Sequence, residues 1–122
     1  MRGDSPTLRI VERVADGITI VDLSGRLVLD QGDSAFRDYI AALVNDGRTQ
    51  IIVNLKDVTY IDSAGVGVLV AKMLSVRRIG GDMKLLHLTA RSTRVMTITK
   101  LLTVFEAFDD EQEAIRSFRA AV

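Results

Sequence analysis

Residues 50–55 read QIIVNL, an unbroken apolar run of strand length. A brief VTYI segment extends it, and the pair Asp62-Ser63 then leads directly into a second apolar run. A strand that is apolar on both faces belongs in the middle of a sheet covered by helices. The second run is helical: from residue 64 to about 79, Val66, Leu69, Val70, Met73 and Val76 fall on one stripe at helical spacing, and Gly80-Gly81 supplies a stop. Val68, Ala71 and Ile79 fall away from that stripe, so this helix carries more apolar surface than one buried face requires.

The rest of the chain repeats the alternation. Residues 7–15 and 18–23 are rich in β-branched side chains, and Asp16-Gly17 between them is a two-residue hairpin signal. Residues 34–45 carry Phe36, Ile40, Leu43 and Val44 at helical spacing and stop at Asp46-Gly47. MKLLHL at 83–88 reads as a strand, Thr89 as the cap of a helix to about Thr99, TVFEAF at 103–108 as a short last strand, and Asp109-Asp110 as the opening of a helix with Ile115 and Phe118 on one face. The order β, β, α, β, α, β, α, β, α predicts an α/β domain whose sheet is mostly parallel and opens with an antiparallel hairpin.

A chain of 122 residues with 48% hydrophobic content can build one core without disulfides or metal. Sixteen basic residues balance sixteen acidic ones, so no strong field draws the protein to nucleic acid or to an acidic membrane. There is no cysteine, which removes thiol nucleophiles and thiolate metal sites and fits a reducing compartment. MRGDSPTLR has no apolar centre like that of a signal peptide, and no stretch approaches the roughly 18 apolar residues of a membrane span. The expectation is a cytoplasmic protein without cofactor or metal. Residues 1–6 are expected to be a disordered tail, in which Arg2-Gly3-Asp4 is a chance match to an adhesion tripeptide, and residues 7–119 a single domain.

Three chemistries compete for the turn after the central strand. Gly65-x-Gly67 between strand and helix is the setting of a dinucleotide loop, but Val70 stands at the third glycine position, a phosphate-binding lysine is missing, and Asp62 adds negative charge there. Ser63 is not a nucleophile elbow: Ile61 and Asp62 precede it instead of glycine, and the one imidazole, His87, lies in an apolar strand. Asp62 and Ser63 are both able to cap the helix. Capping does not explain two glycines in its first turn, each costing about 1 kcal/mol against alanine; close approach by another surface, or tight packing of helix on sheet, would.

The segments IIVNLKDVTYIDSAGVGVL, VRRIGGDMKLL and TKLLTVFEAFDDEQEAIRSF, together covering essentially residues 8–118, resemble the STAS domain family and within it the bacterial anti-sigma factor antagonists. The resemblance implies a mixed four- to five-stranded sheet with about four helices packed mainly on one face. It implies a non-enzymatic switch in which Ser63 is phosphorylated by a partner anti-sigma factor that is itself a serine kinase. The unphosphorylated form binds that partner and frees sigma factor, the phosphorylated form lets go, and a phosphatase resets it; the antagonist itself is a monomer or weak dimer.

The partner surface expected from the resemblance and from charge placement is Asp62, Ser63, Ala64, Gly65, Val66, Gly67 and Val68, with Asp30 beside it and Arg91 and Arg94 at its rim. Many family members carry G-E-L-D after the second strand. Here Gly25-Arg26-Leu27-Val28 stands there, so Asp30 or Asp33 takes the place of the displaced acid. The alternative implied by the same family is an interaction or scaffold subunit of a stress-signalling or transport complex, without a phosphoswitch.

Overall fold

The structure, a computed structural model, describes residues 2–4 and 6–120. Six strands lie in one sheet in chain order: β1 (Arg2–Asp4), β2 (Leu8–Ala15), β3 (Ile18–Leu27), β4 (Gln50–Ile61), β5 (Asp82–Leu86) and β6 (Ala107–Phe108). β1, β2 and β3 pair antiparallel, and β3 through β6 pair parallel. Helices α1 (Asp33–Asn45), α2 (Ser63–Arg78) and α3 (Ala90–Ile98) connect the parallel strands, and α4 (Glu111–Ala120) follows β6. Successive crossovers of one hand, moving one way across a sheet, place their helices on the same face.

Two cores result. On one face Phe36, Ile40 and Leu43 of α1, Val66, Leu69, Met73 and Val76 of α2, and Met96 of α3 pack on Val21, Ile51, Val53 and Leu85. On the other, Ala114, Ile115 and Phe118 of α4 cover Ile18, Ile20, Ile52 and Leu86. Each of these large apolar side chains contributes about 1.5–3 kcal/mol on burial. The central strand is therefore apolar on both faces because each face has its own cover. Among the described residues no helix is long and apolar enough to cross a membrane.

Local signals act as their chemistry predicts. Asp16 and Gly17 both take positive φ, 53° and 79°, the backbone of a two-residue hairpin turn between β2 and β3. Thr89 caps α3 by accepting from Ser92 N, and Asp110 accepts from Glu113 N ahead of α4.

Several expectations are corrected. The N-terminal segment expected to be unstructured supplies β1, with Gly3 opposite Ile10; the outer edge of β2 offers free backbone groups, and strand pairing there needs no particular side chain. Met1 and Ser5 lie outside the described residues. TVFEAF is not one strand: Thr103 and Val104 belong to a 3-10 turn at Leu102–Val104, and only Ala107–Phe108 pair as strand. His87 lies past the end of β5, half-buried, with φ 57°.

β4 also departs from simple alternation. Against β3, Asp22 pairs with Asn54 but Ser24 with Asp57, and Gly25 with Val58 but Arg26 with Tyr60. β4 thus holds an extra residue at two places. Each bulge resets which face is inward, so Leu55, Val58 and Ile61 all enter the larger core at three-residue spacing. Tyr60 is left on the surface, 47% exposed.

Candidate functional site

Parallel strands bring their carboxyl ends to one edge, and in open α/β sheets that edge is where ligands and partners are met. Here it collects the ends of β3, β4 and β5 and the first turns of α1, α2 and α3. Asp62 sits at its centre in extended backbone as the N-cap of α2. Its Oδ1 accepts from Gly65 N at 2.9 Å and its Oδ2 from Leu29 N at 3.0 Å. One carboxylate therefore starts the helix and fastens the tight turn at residues 28–31 beside it.

That turn is closed by reciprocal backbone hydrogen bonds of 3.0 Å between Val28 and Gln31. Leu29 and Asp30 form its exposed tip, with Asp30 at φ 58°. Asp33 is buried at the start of α1. Of the two acids, Asp30 is the exposed one, in the turn that Asp62 fastens to the start of α2.

Ser63 is the first residue of α2. It is exposed, and among the described residues its hydroxyl has no hydrogen-bond partner. The capping task that both residues were able to fill belongs to Asp62 alone.

The two glycines separate just as clearly. A Cβ on Gly65 would stand 2.1 Å from the Leu27 carbonyl oxygen, so this glycine exists to let α2 seat on the end of β3. A Cβ on Gly67 would meet nothing within 4 Å. The fold has no use for that glycine, which lies exposed one turn beyond Ser63.

Burial trims the expected surface. Gly65, Val66 and Val68 are interior, Val68 at 6% exposure because α2 is flanked by neighbouring helices as well as seated on the sheet. Asp62 is half-buried with both oxygens engaged. Of the turn itself Ser63, half-buried Ala64 and Gly67 remain accessible. They continue into exposed Ala71 and Leu74 further along α2, and Lys72 is the one charge between Ser63 and Val76. A helix this apolar on its outward face presents a surface suited to a second protein.

Charge gathers beside it. Arg91, in the first turn of α3, places its guanidinium carbon 4.1 Å from the centroid of the Tyr60 ring, and Arg26, at the end of β3, lies 5.2 Å from the same ring. Arg94 is exposed one turn further along α3. Arg91 thus falls at the carboxyl edge of the sheet. Tyr60 and Arg26 were not on the expected list; only the second β4 bulge puts Tyr60 opposite Arg26, and no sequence signal marks it.

The family model of the STAS domain matches residues 9–114. The chain belongs to the STAS domain family. The anti-sigma F factor antagonist of Paenibacillus polymyxa is 25% identical over 99 residues, 81% of this chain and 85% of that protein. The anti-sigma-B factor antagonist of Bacillus subtilis is 36% identical over 70 residues, 57% of this chain and 63% of that protein. Among solved structures, the anti-sigma factor antagonist SpoIIAA of Bacillus in its unphosphorylated form superposes with a TM-score of 0.76 at 23% identity, over 93% of this chain and 98% of that one. Its phosphorylated form gives 0.68 at 23% identity, over 89% and 98%. At that identity the likeness is one of fold, and it agrees with a STAS mixed sheet carrying helices mainly on one face.

Proposed function

We propose that this STAS domain is a cytoplasmic anti-sigma factor antagonist whose partner, an anti-sigma factor with serine kinase activity, phosphorylates Ser63. Unphosphorylated, it binds the partner through Ser63, Gly67, Ala71 and Leu74 and so frees sigma factor; phosphorylated, it releases the partner, and a phosphatase restores it. The observation that carries this reading is the division of labour at the turn. Asp62 does the structural work, and the neighbouring Ser63 hydroxyl is exposed and unbonded at the start of an outward-facing apolar helix. The names of the relatives, and the existence of a phosphorylated form of one of them, support it.

The switch follows from magnitudes. A phosphoserine adds about −1.5 to −2 charges. At a helix N-terminus the fold gains about 0.3–1 kcal/mol from that charge. Against an apolar partner surface the same charge has to be desolvated, which costs several kcal/mol, and each ~1.4 kcal/mol is tenfold in affinity. Binding is lost while the fold holds.

The test is titration against the purified anti-sigma factor of the native host, with ATP and mapping of the modified residue. Ser63→Ala should bind and resist modification, and Ser63→Glu should bind at least tenfold more weakly, with both melting near the wild type. Phosphate at Thr59 or Ser75, or full binding by Ser63→Glu, overturns the proposal.

A further inference from the structure

Two guanidinium groups lie over one tyrosine ring at the carboxyl edge, and neither Arg26 nor Arg91 has a carboxylate partner among the described residues. Like charges gathered at one ring repel, and the ring's attraction for each does not remove that repulsion. An arrangement of this kind is completed by an anion. Tyr60 lies three residues before Ser63, a span of at most about 11 Å of extended chain. Arg91 belongs to a helix packed against both α2 and β4. The two carboxylate oxygens of Asp62, the nearest acid in sequence, are turned to backbone amides.

We infer that Arg26 and Arg91 form a clamp that closes on the phosphate of phosphorylated Ser63 within the same molecule. The inference rests on the reading of Ser63 as the acceptor. Guanidinium is the group suited to this: its planar fork matches phosphate oxygens two at a time, and stacking on Tyr60 holds the fork in place before the phosphate arrives. A charge of about −1.5 to −2 meets two positive charges. The modified edge is then nearly neutral and rigid, where the partner had met two free cations and a hydroxyl. Phosphorylation so acts twice, by adding bulk and charge at Ser63 and by withdrawing both arginines from any acid on the partner.

The test uses the whole chain with phosphoserine installed at position 63 during translation, so no kinase is needed. Phosphorus NMR follows the second ionisation of the phosphate in the wild type, in Arg26→Ala/Arg91→Ala, in the matching double lysine variant, and in Arg94→Ala. The clamp predicts that the ionisation lies about one pH unit lower in the wild type than in the double alanine variant. The lysine variant should be intermediate and Arg94→Ala like the wild type. Equal ionisation in wild type and double alanine variant overturns the clamp, as does a drop that Arg94→Ala removes as effectively. A second arm adds ATP to the unphosphorylated protein and follows the arginine side-chain signals. If ATP moves them while the phosphoserine ionisation is indifferent to both arginines, the anion is a nucleotide and the intramolecular contact is wrong. Absence of phosphate on Ser63 in the native host would sink the proposed function and leave these results readable.

Discussion

The backbone N–H of Leu29 donates to Asp62 Oδ2 at 3.0 Å across 33 residues of chain, while the other oxygen of the same carboxylate caps α2. Asp62→Ala removes both interactions. A lost cap costs about 1 kcal/mol and the second hydrogen bond about as much again. The variant should lose about 2 kcal/mol in urea denaturation, and exchange of the Leu29 amide should accelerate. Asp62→Asn keeps one oxygen and should fall between.

Gly65 and Gly67 should respond oppositely to alanine. Gly65→Ala forces a methyl group against the Leu27 carbonyl and should destabilise the protein by at least about 2 kcal/mol, or displace the start of α2. Gly67→Ala fills open space and should stabilise by about 0.5–1 kcal/mol. If Gly67 is where a partner surface comes close, the more stable variant binds more weakly. Thermal melts and a binding titration on one pair of proteins separate the two effects.

Reversing Arg91 and Arg94 to glutamate tests the rim. Exposed charges at the margin of an interface chiefly set association rate and its dependence on salt. Association with the anti-sigma factor should slow at low salt and converge on the wild-type rate at high salt. Stopped-flow kinetics at two ionic strengths decides it, and an unchanged rate would remove Arg91 and Arg94 from the surface.

Acid should act on the far side of the sheet. Arg13 bonds Asp22 on β3 and Glu111 at the start of α4. The hydrogen bond from Arg13 holds the Glu111 carboxyl below its ordinary value of 4.5, with Asp22 pulling the other way. A carboxyl with a depressed folded pKa contributes stability that is complete above its unfolded value and is lost as pH falls through the folded one. The wild type should therefore weaken as pH drops below about 4.5, and Glu111→Gln should weaken less over that window. Both partners are substantially solvated, so the difference is small and best read as a shift in urea midpoint with pH.

The hairpin, the central strand and the helices were legible because each rests on local chemistry: Asp16-Gly17 for the turn, Phe36, Ile40 and Leu43 for one face of α1, the Val66-to-Val76 stripe for α2. The facing of side chains in the second half of β4 was not. Its inward residues shift from every second to every third position at the bulges, so Tyr60 gives no hint that it stands outside beside Arg26. β1 was missed because backbone pairing along the edge of β2 leaves no trace in composition. At the site, the family motif made Ser63 legible. The inward turn of Val68 was hidden because the helices flanking α2 are set by tertiary packing, and the role of Asp62 because its second partner is 33 residues away.

That separation has a consequence in time. Leu29 and Asp62 meet only after β3 has paired with β4 and α1 has crossed between them, and Arg91 joins them later still, once β5 and α3 are in place. Pairing between strands so far apart in sequence is slow beside the formation of any single helix. A nascent or partly folded chain exposes the Ser63 hydroxyl but not the assembled surface around it. Recognition of this edge is thereby confined to molecules that have finished folding.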